Sequence, residues 1–349
     1  MRLGALHVVG LGPLEDLTFR FADEDGKTPG VGVVLGGSGV GKTSLLTAIA
    51  STRPGHAVAF PRRGDDAPFA VADWIAGDDD PARPHPLRVA SPGAVLEDDE
   101  VGAAMRRREQ AVFDRRAAEG GFVLCSFSGA RWFSKSPLVL SAPERSVARY
   151  DVRTPAALDD PTRADLARPT KQVLSYASIA AALSGRDAPG TPHAARAAAL
   201  ERALAGAVTR LTTLADCKYV GTDPATLEPI FERAGGAQVR FDDLPTGARH
   251  LASFAALPLR MLHAAYPDRD PLDAEGVVLI DDVDVHLDPT AHEPLAAALR
   301  EALPRVQWIV TTASRAVAGG CDPPHVMVLR QMPVTAKIEL FAGDQAVIH

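Results

Sequence analysis

Three short apolar runs, separated by turn residues, open the chain. LGALHVVG, LEDLTFRF and VGVVL each predict a β-strand, and the stretches between them are rich in Gly, Pro and Asp. The third run leads straight into a glycine-rich loop and then into a predicted helix over residues 43–50. This order of strand, loop and helix predicts the beginning of an α/β domain.

The middle of the chain shows weaker periodicity. Residues 51–92 are rich in Pro, Asp, Arg and Gly, so we expect loops and short strands outside the main sheet there. The charged, Ala-rich stretch 98–119 predicts an exposed helix, and GFVLCSF after it predicts a buried strand. KQVLSYASIAAAL and the stretch 194–214 predict two further helices.

Helices and strands alternate in the last third of the chain. The segment GTDPATLEPIF predicts a turn before a helix. Beyond it, the predicted order is the helix GARHLASFAALPLRMLHAAY, the strand GVVLID, a helix over residues 290–303, and the strands VQWIVTT, HVMVLR and AKIELF. This alternation predicts a parallel sheet flanked by helices.

Composition narrows the class of protein. The chain has 349 residues, of which 46% are hydrophobic, so it can bury the core of one large domain or two modest ones. Its net charge of -7 argues against a protein that coats nucleic acid. Basic clusters at residues 106–108 and 115–116 are more typical of a solvated helix face than of a DNA contact, although DNA binding stays open.

Cysteine usage and hydropathy indicate the compartment. The three cysteines show neither a metal-site spacing nor a disulfide framework, which favours a reducing environment. The N-terminal stretch lacks the apolar core of a signal peptide, and no run approaches the ~18 apolar residues of a membrane span. We therefore expect a soluble cytoplasmic protein that does not contact membranes.

The most specific motif is GGSGVGKT, which fits G-x-x-x-x-G-K-[ST] between a predicted strand and a predicted helix. Its glycines let backbone N–H groups face phosphates, Lys42 reaches the β and γ oxygens, and Thr43 offers a hydroxyl to Mg²⁺. The alternative is a glycine turn that binds nothing, and the strand-loop-helix context argues against it. The predicted ATP-binding residues are Gly36, Gly37, Ser38, Gly39, Val40, Gly41, Lys42, Thr43 and Ser44.

A second motif is the apolar run VVLI, which ends in two adjacent carboxylates. At the end of a buried strand beside the glycine loop, Asp281 can hold the magnesium shell together with Thr43, and Asp282 can orient an attacking water. Adjacent acids after a strand also commonly cap the following loop, which is the alternative. The glycine loop upstream favours the nucleotide-site interpretation, with Asp282 as the catalytic candidate.

These motifs, with FDDLPTGARHLASFAALPLRMLHAAYP and PRVQWIVTTAS, resemble the bacterial AAA/ABC-type P-loop ATPases of the RecF, SMC and OLD-like group. The resemblance is closest to a stand-alone family of ATP-binding proteins, to which the ATPases of Septu-type anti-phage systems are similar. LCSFSGARWFS resembles the strand-and-arginine segment of that family. The resemblance implies an α/β, ABC/RecF-like ATPase head with a core lobe of residues 1–50 plus 238–349 and an inserted, partly helical lobe at 51–237.

In that family, two subunits enclose two ATP molecules, each bound by the glycine loop of one subunit and the signature motif of the other. The resemblance therefore implies a homodimer through the ATP sites. The signature positions that act in trans are Pro245, Thr246, Gly247 and Arg249. The D-loop positions are His286 and Asp288, and Ala313 takes the switch position. As a lone histidine, His286 is more often a structural hydrogen-bonding residue.

Three positions depart from the family pattern. Pro245 replaces a serine whose hydroxyl binds the partner's γ-phosphate, Asp282 replaces a longer glutamate, and Ala313 replaces a histidine. Each change removes or shortens a group that acts on the γ-phosphate or the attacking water. The glycine loop and Asp281 keep the pattern, so the sequence predicts that ATP binding is retained and hydrolysis is weakened.

The sequence thus predicts a Mg-ATP-binding protein, slow in hydrolysis, that acts as a nucleotide-dependent dimerisation or partner-docking switch. Its setting would be a bacterial multi-protein system such as anti-phage defence, with a separate effector chain. Two alternatives stay open: an actively cycling DNA-associated ATPase, and a nearly inert scaffold stabilised by ATP. The remaining histidines show no ligand spacing and are expected at the surface or as core residues with satisfied hydrogen bonds: His250, His263 and His292.

Overall fold

Six strands form the central sheet of the computed structural model, which describes residues 1–23, 25–52, 68–75, 86–91, 94, 99–118, 122–143, 164–187 and 190–346. In spatial order the strands are β13 (Ile338–Ala342), β12 (Val326–Gln331), β3 (Val31–Gly36), β11 (Val306–Thr312), β10 (Gly276–Ile280) and β6 (Leu124–Phe127). All neighbours are parallel except the antiparallel pair β12 and β13. The predicted parallel sheet is confirmed.

The central strands read as continuous apolar runs because both faces of the sheet are covered. Every residue of β3, β10 and β11 is buried, as expected for a parallel sheet between two layers. Side chains that alternate along β3 point to different cores, since Val33 joins the core on one face and Val34 joins the core on the other.

The first core lies under an antiparallel sheet and one helix. The sheet has the order β2 (Leu14–Arg20), β1 (Arg2–Leu11), β4 (Phe69–Ile75) and β5 (Leu87–Ala90). Helix α1 (Lys42–Ser51) follows β3 and packs into the same core. The strands β4 and β5 confirm the expectation of short strands outside the main sheet between residues 51 and 92.

Helices cover the other face of the central sheet. The long helices are α3 (Ala167–Asp187), α4 (Pro192–Thr212) and α5 (Thr246–Ala265), and the short ones are α6 (Leu295–Ala302) and α7 (Arg315–Gly319). Thr191 begins α4 because its side chain accepts a hydrogen bond from the backbone N–H of Ala194, and Pro192 fits the first turn. The predicted exposed helix is α2 (Glu100–Ala118), which packs beside β5.

Two predictions in the last half of the chain are wrong in part. The segment GTDPATLEPIF does not precede a helix, because it forms the turn and second strand of an antiparallel sheet made of β7 (Cys217–Thr222), β8 (Pro229–Arg233) and β9 (Gln238–Arg240). Asp223 shapes the turn, since its carboxylate accepts bonds from Ala225 N and Thr226 Oγ1, both at 2.8 Å.

The helix predicted over residues 290–303 is also shorter than expected. A 3₁₀ turn at Pro289–Ala291 comes first, and α6 begins only at Leu295. Pro294 stands at the N-terminal boundary of α6, where the absence of a backbone N–H costs no helical hydrogen bond.

The predicted inserted lobe, residues 51–237, contributes to every layer. It supplies β4 and β5 to the antiparallel sheet, β6 to the central sheet, and α3 and α4 to the helical layer. The division into a core lobe and an inserted lobe stays a prediction. In the part of the chain that the structure describes, no helix combines the length and the apolar character needed to cross a membrane.

Candidate functional site

The loop between β3 and α1 has the backbone conformation that its glycines allow. Gly39 and Gly41 have φ angles of 80° and 96°, in the left-handed region that favours glycine. A Cβ at Gly41 would also lie only 2.7 Å from Leu14 Cδ2, so the loop packs directly on β2. Around Gly39, by contrast, a Cβ would meet nothing within 4 Å. The loop is therefore tightly packed on its inner side and open on its outer side.

Lys42 lies inside this loop. Its ammonium donates hydrogen bonds to the carbonyl oxygens of Gly36 and Gly37, both at 3.0 Å, and the side chain is buried. The carboxylate of Asp282 lies 3.7 Å from the same nitrogen. The predicted phosphate-binding lysine is thus held over the glycine loop, facing a carboxylate from a different strand.

Asp281 connects the glycine loop to the neighbouring strands. Thr43 Oγ1 donates a 2.7 Å hydrogen bond to Asp281 Oδ2, and Thr311 Oγ1 donates a 2.7 Å bond to Asp281 Oδ1. The parallel order β3, β11, β10 brings these three residues together at the carboxyl ends of the strands. This edge of an α/β sheet is where ligands ordinarily bind.

The Thr43 hydroxyl and the Asp281 carboxylate form an oxygen pair that suits Mg²⁺. Hard divalent cations take oxygen ligands, and Mg²⁺ is commonly held by one or two protein groups plus substrate phosphates. Thr43 is exposed whereas Asp281 is buried, so the pair opens to solvent on the threonine side. Within the described residues, no group of three or more His, Cys, Asp or Glu side chains is arranged to hold a metal ion by itself.

Asp282 has a backbone conformation that is unusual for a residue other than glycine. Its φ angle is 44°, and its backbone N–H donates to Thr311 Oγ1 at 2.8 Å. Partial burial and, next, the neighbouring Asp281 raise the pKa of Asp282, while Lys42 opposes the rise. A carboxylate with a raised pKa is a better base than a fully solvated one. Asp282 is therefore held 3.7 Å from the Lys42 ammonium with its side chain partly exposed.

The signature residues lie at the start of α5. Pro245 is the N-cap of the helix and is exposed. A Cβ at Gly247 would lie 2.7 Å from the backbone oxygen of His286, so the signature loop contacts the D-loop of the same chain. Arg249 donates to Thr246 Oγ1 at 3.1 Å and stacks over the ring of Phe133 at 4.9 Å.

The D-loop positions differ in how they are held. His286 is exposed, has a φ of 68°, and stacks on His250 with ring centroids 5.3 Å apart and planes 7° apart. His250 is fully buried, so of the two expected places, surface or core, it takes the core. Burial, followed by the nearby Arg131, lowers the pKa of His250 to about 3. His250 therefore contributes a neutral imidazole to the stack at neutral pH.

Asp288 and Ala313 have simpler environments. Asp288 is exposed and accepts hydrogen bonds from Thr290 Oγ1 at 2.7 Å and Thr290 N at 3.0 Å, which lower its pKa. Ala313 is exposed and follows Thr312, whose hydroxyl donates to the carboxylate of Asp284. The switch position thus lies at the strand end beside this additional carboxylate, and its methyl group cannot form a hydrogen bond.

Three residues at this strand edge were given no role in the sequence analysis. Thr311 bonds to Asp281 directly, and Asp284 accepts a hydrogen bond from Thr312, the neighbour of Ala313. Arg131 is buried and donates to the backbone oxygens of Asp281 at 2.6 Å and Asp282 at 2.8 Å. The available signal for Arg131 was its place in LCSFSGARWFS, the segment that resembles the strand-and-arginine segment of the family.

Comparison with known sequences gives short matches. No family profile matches the chain. The "Retron Ec83 probable ATPase" of Escherichia coli is 32% identical over 88 residues, the "Septu protein PtuA" of Bacillus mycoides 27% over 116, and the "Retron Vc95 probable ATPase" of Vibrio cholerae 25% over 104. These alignments cover 25%, 32% and 30% of this chain, but only 16%, 16% and 20% of the relatives' lengths.

Comparison with solved structures identifies the fold. The SMC head bound to the C-winged helix domain of ScpA aligns with a TM-score of 0.53 and 12% identity, over 99% of this chain and 100% of that chain. The chain therefore has the fold of an SMC head. The predicted fold class is confirmed, and so is the resemblance to P-loop ATPases of the SMC/RecF-like group.

Proposed function

We propose that this protein binds Mg-ATP at the glycine loop, hydrolyses it slowly, and uses the bound nucleotide to control docking to a second copy or to a partner protein. The observation that carries the proposal is the convergence of Lys42, Thr43 and Asp281. They come from two distant stretches of the chain, yet a 2.7 Å hydrogen bond joins Thr43 to Asp281 beside the Lys42 ammonium.

Each of these groups would have a defined task toward ATP. The outer side of the loop offers backbone N–H groups and the start of α1 to the phosphates, and Lys42 adds a point charge. Thr43 and Asp281 would hold Mg²⁺, which neutralises phosphate charge when bound. Because Lys42 is already paired with two backbone carbonyls, its ammonium needs no long excursion to meet a phosphate above the loop.

Slow hydrolysis follows from the groups around the expected γ-phosphate. We assign the attacking water to the carboxylate of Asp282, which lies next to Lys42. This side chain is shorter than the glutamate of the family pattern. Ala313 offers no hydrogen bond, and Pro245 has neither a hydroxyl nor a backbone N–H. Groups that act on developing charge commonly contribute ~2.7 to 4 kcal/mol each to the barrier.

A switch in docking is supported by the contact between Gly247 and the D-loop. Pro245, His286 and Asp288 are all exposed, and Gly247 packs on the backbone of His286, so the signature motif and the D-loop form one surface. A nucleotide on the glycine loop of one copy would bridge to this surface of the other. The comparison structure is an SMC head bound to a domain of another protein, which supports docking of a separate partner as well.

The biological setting we propose is an anti-phage system with a separate effector chain. The support is the similarity to a Septu protein and to retron ATPases, although each match spans a fifth or less of the relative. Co-purification of the tagged protein with the products of its neighbouring genes tests this part. Recovery of a stable complex with a nuclease-like chain is expected, and recovery of a lone chain with no genetic linkage to phage resistance would contradict it.

Calorimetry, phosphate release and light scattering test the rest. We expect binding of ATP in the presence of Mg²⁺, turnover well below about one per second, the lower end for ordinary enzymes, and a doubling of mass with a non-hydrolysable analogue. Absence of ATP binding would overturn the proposal. An unchanged mass in both states would remove the homodimer and leave docking to a different chain.

The actively cycling alternative rests on two observations at Asp282. The raised pKa and the positive φ of Asp282 are features of residues constrained for chemistry. Fast ATP turnover that rises further on addition of DNA would favour this alternative. Tight ATP binding with no turnover over hours would favour the inert scaffold instead.

A further inference from the structure

We propose that Arg131 is a positioning residue that fixes the orientation of Asp282 and links it to the signature helix α5. This inference rests on the proposed function, because it assigns to Arg131 a role in the same nucleotide site. Arg131 lies on neither the glycine loop nor the signature motif, and it is only 4% exposed.

The guanidinium is held by backbone carbonyls from two adjacent strand ends. Nη1 donates to Ser128 O at 3.1 Å and to Asp281 O at 2.6 Å, and Nη2 donates to Asp282 O at 2.8 Å. Ser128 follows β6 and Asp281 follows β10, which pair in parallel through Phe127 and Ile280. Arg131 therefore holds the ends of these two strands together at the point where the acidic residues begin.

These bonds fix both peptide groups of Asp282. Its carbonyl accepts from Arg131, and its N–H donates to Thr311 Oγ1. The residue sits at a φ of 44°, a conformation that side chains rarely adopt and that persists only when the surroundings hold it. With both peptides fixed, the direction of the Cα–Cβ bond is set, and with it the position of the short carboxylate 3.7 Å from Lys42.

The flat face of the guanidinium contacts the signature helix α5. The central carbon of Arg131 lies 5.2 Å from the centroid of the Phe254 ring in α5. Phe254 in turn packs edge-on against Phe127 at 5.0 Å and lies 6.1 Å from His250. A shift of α5 must therefore displace either the guanidinium or the aromatic rings around it. Contact at the signature surface would be transmitted to Asp282 through this packing.

The bonding pattern distinguishes positioning from simple charge neutralisation. The hydrogen bonds of Arg131 described here go to carbonyl oxygens and not to the carboxylates of Asp281 or Asp282. Burial lowers the pKa of Arg131 to about 10, so it remains charged at neutral pH. A lysine would keep the charge but has no planar fork that reaches three carbonyls at once. Arg131→Lys is therefore the informative substitution.

The first experiment needs no nucleotide. Hydrogen–deuterium exchange of residues 282–288 is measured in the wild type, in Arg131→Lys and in a matched control, Arg196→Lys. Arg196 also donates to a backbone carbonyl, that of His263, near the far end of α5. We expect at least tenfold faster exchange of this loop in Arg131→Lys and no change in the control. Equal exchange in all three proteins would overturn the inference.

The second experiment tests coupling to Asp282. Single-turnover hydrolysis and ATP affinity are measured in Arg131→Lys, Asp282→Ala and the double variant. We expect at least a tenfold slower reaction in Arg131→Lys with ATP affinity within about threefold of wild type, and no further loss in the double variant. Additive losses would show that Arg131 acts through general stability and not through Asp282. Failure of the wild type to bind ATP would instead count against the proposed function, and the exchange result would still decide the role of Arg131.

Discussion

The phosphate-binding side of the site and the signature side are built differently. On the phosphate-binding side, the residues bond to one another: Lys42 to the glycine-loop carbonyls and Thr43 to Asp281. On the signature side, residues bond to the remainder of the chain, as when Arg249 stacks on Phe133 and Gly247 packs on the D-loop. The residues on one side bond to one another, whereas the other side packs against neighbouring segments of the chain and leaves Pro245 and His286 exposed.

This difference changes how the three departures from the family pattern are interpreted. Pro245 and Ala313 are exposed, so the fold places little constraint on their side chains, whereas the backbone of Asp282 is held at a φ of 44° and only its side chain, 40% exposed, is partly free. Lys42 and Asp281 are buried and hydrogen-bonded, so the fold itself favours their retention. The intact glycine loop therefore reflects both folding and binding, while the departures report on function more directly.

The largest effect is expected from restoring, at positions 282 and 313, the side chains that act on the γ-phosphate in the family pattern. Asp282→Glu combined with Ala313→His should speed hydrolysis by on the order of a hundredfold, because a longer acceptor and an added imidazole each act where charge develops. A phosphate-release assay on the wild type, both single variants and the double variant measures it. Asp282→Asn is the control and should stay slow. A wild type that already exceeds about one turnover per second would show that Asp282 is a competent catalyst.

Lys42→Ala is expected to weaken Mg-ATP affinity by at least ~2 kcal/mol, since charge-assisted hydrogen bonds to the β and γ phosphates are lost. Titration calorimetry gives the affinity, and Lys27→Ala, at an exposed lysine outside the site, is the matched control. Equal affinity in the wild type and Lys42→Ala would remove the glycine loop from the binding site. In that case the side of the site that contains Lys42 would not bind the nucleotide.

Acid should destabilise the packing behind the signature side. The unfolded chain protonates His250 near its ordinary pKa of 6.5, but the folded state resists protonation until about pH 3. Stability therefore falls as pH drops from 6.5, by about 2 kcal/mol between pH 8 and pH 5 from this group. Urea unfolding at both pH values measures the loss.

His250→Phe should remove this part of the pH dependence and keep an aromatic ring in the stack. Phe254→Leu is the control, because it costs packing free energy at both pH values and leaves the slope unchanged. The assignment is wrong if the His250→Phe variant retains the whole wild-type slope.

Pro245→Ser is expected to have the smallest effect, less than about tenfold on hydrolysis by itself. The restored hydroxyl acts in a second copy, and groups that work as a unit are strongly non-additive. Phosphate release at protein concentrations above the dimerisation midpoint tests it. A gain equal to that of the Asp282 and Ala313 double variant would place the main defect on the signature side.

The fold of the phosphate-binding side was predictable because its signals are local. The strand, the glycine loop and the helix are consecutive, and φ angles of 80° and 96° at Gly39 and Gly41 are what such a loop requires. The sheet β7 to β9 was missed because β9 has only three residues and β8 begins with proline, which weakens the signal of a strand.

The role of Arg131 could not be predicted for a different reason. It lies 150 residues from Asp281 in sequence, and only the pairing of β6 with β10 brings the two together. Resemblance indicated that the segment belongs to the family but not which atoms it contacts. Contacts that arise from strand pairing can be predicted only when the sheet topology is known, whereas contacts within one loop can be predicted from the sequence alone.

The two threonines that flank Asp281 also determine where hydrogen atoms point in the site. An ionised carboxylate can only accept, so Thr43 and Thr311 each direct their single hydroxyl hydrogen to Asp281. Thr311 then uses a lone pair to accept from Asp282 N. Thr43 is exposed, and the lone pairs of its hydroxyl oxygen are directed away from the Asp281 carboxylate. If Mg²⁺ binds as proposed, it would meet an oxygen whose hydrogen is already turned aside, and no hydroxyl rotation would be needed before it binds.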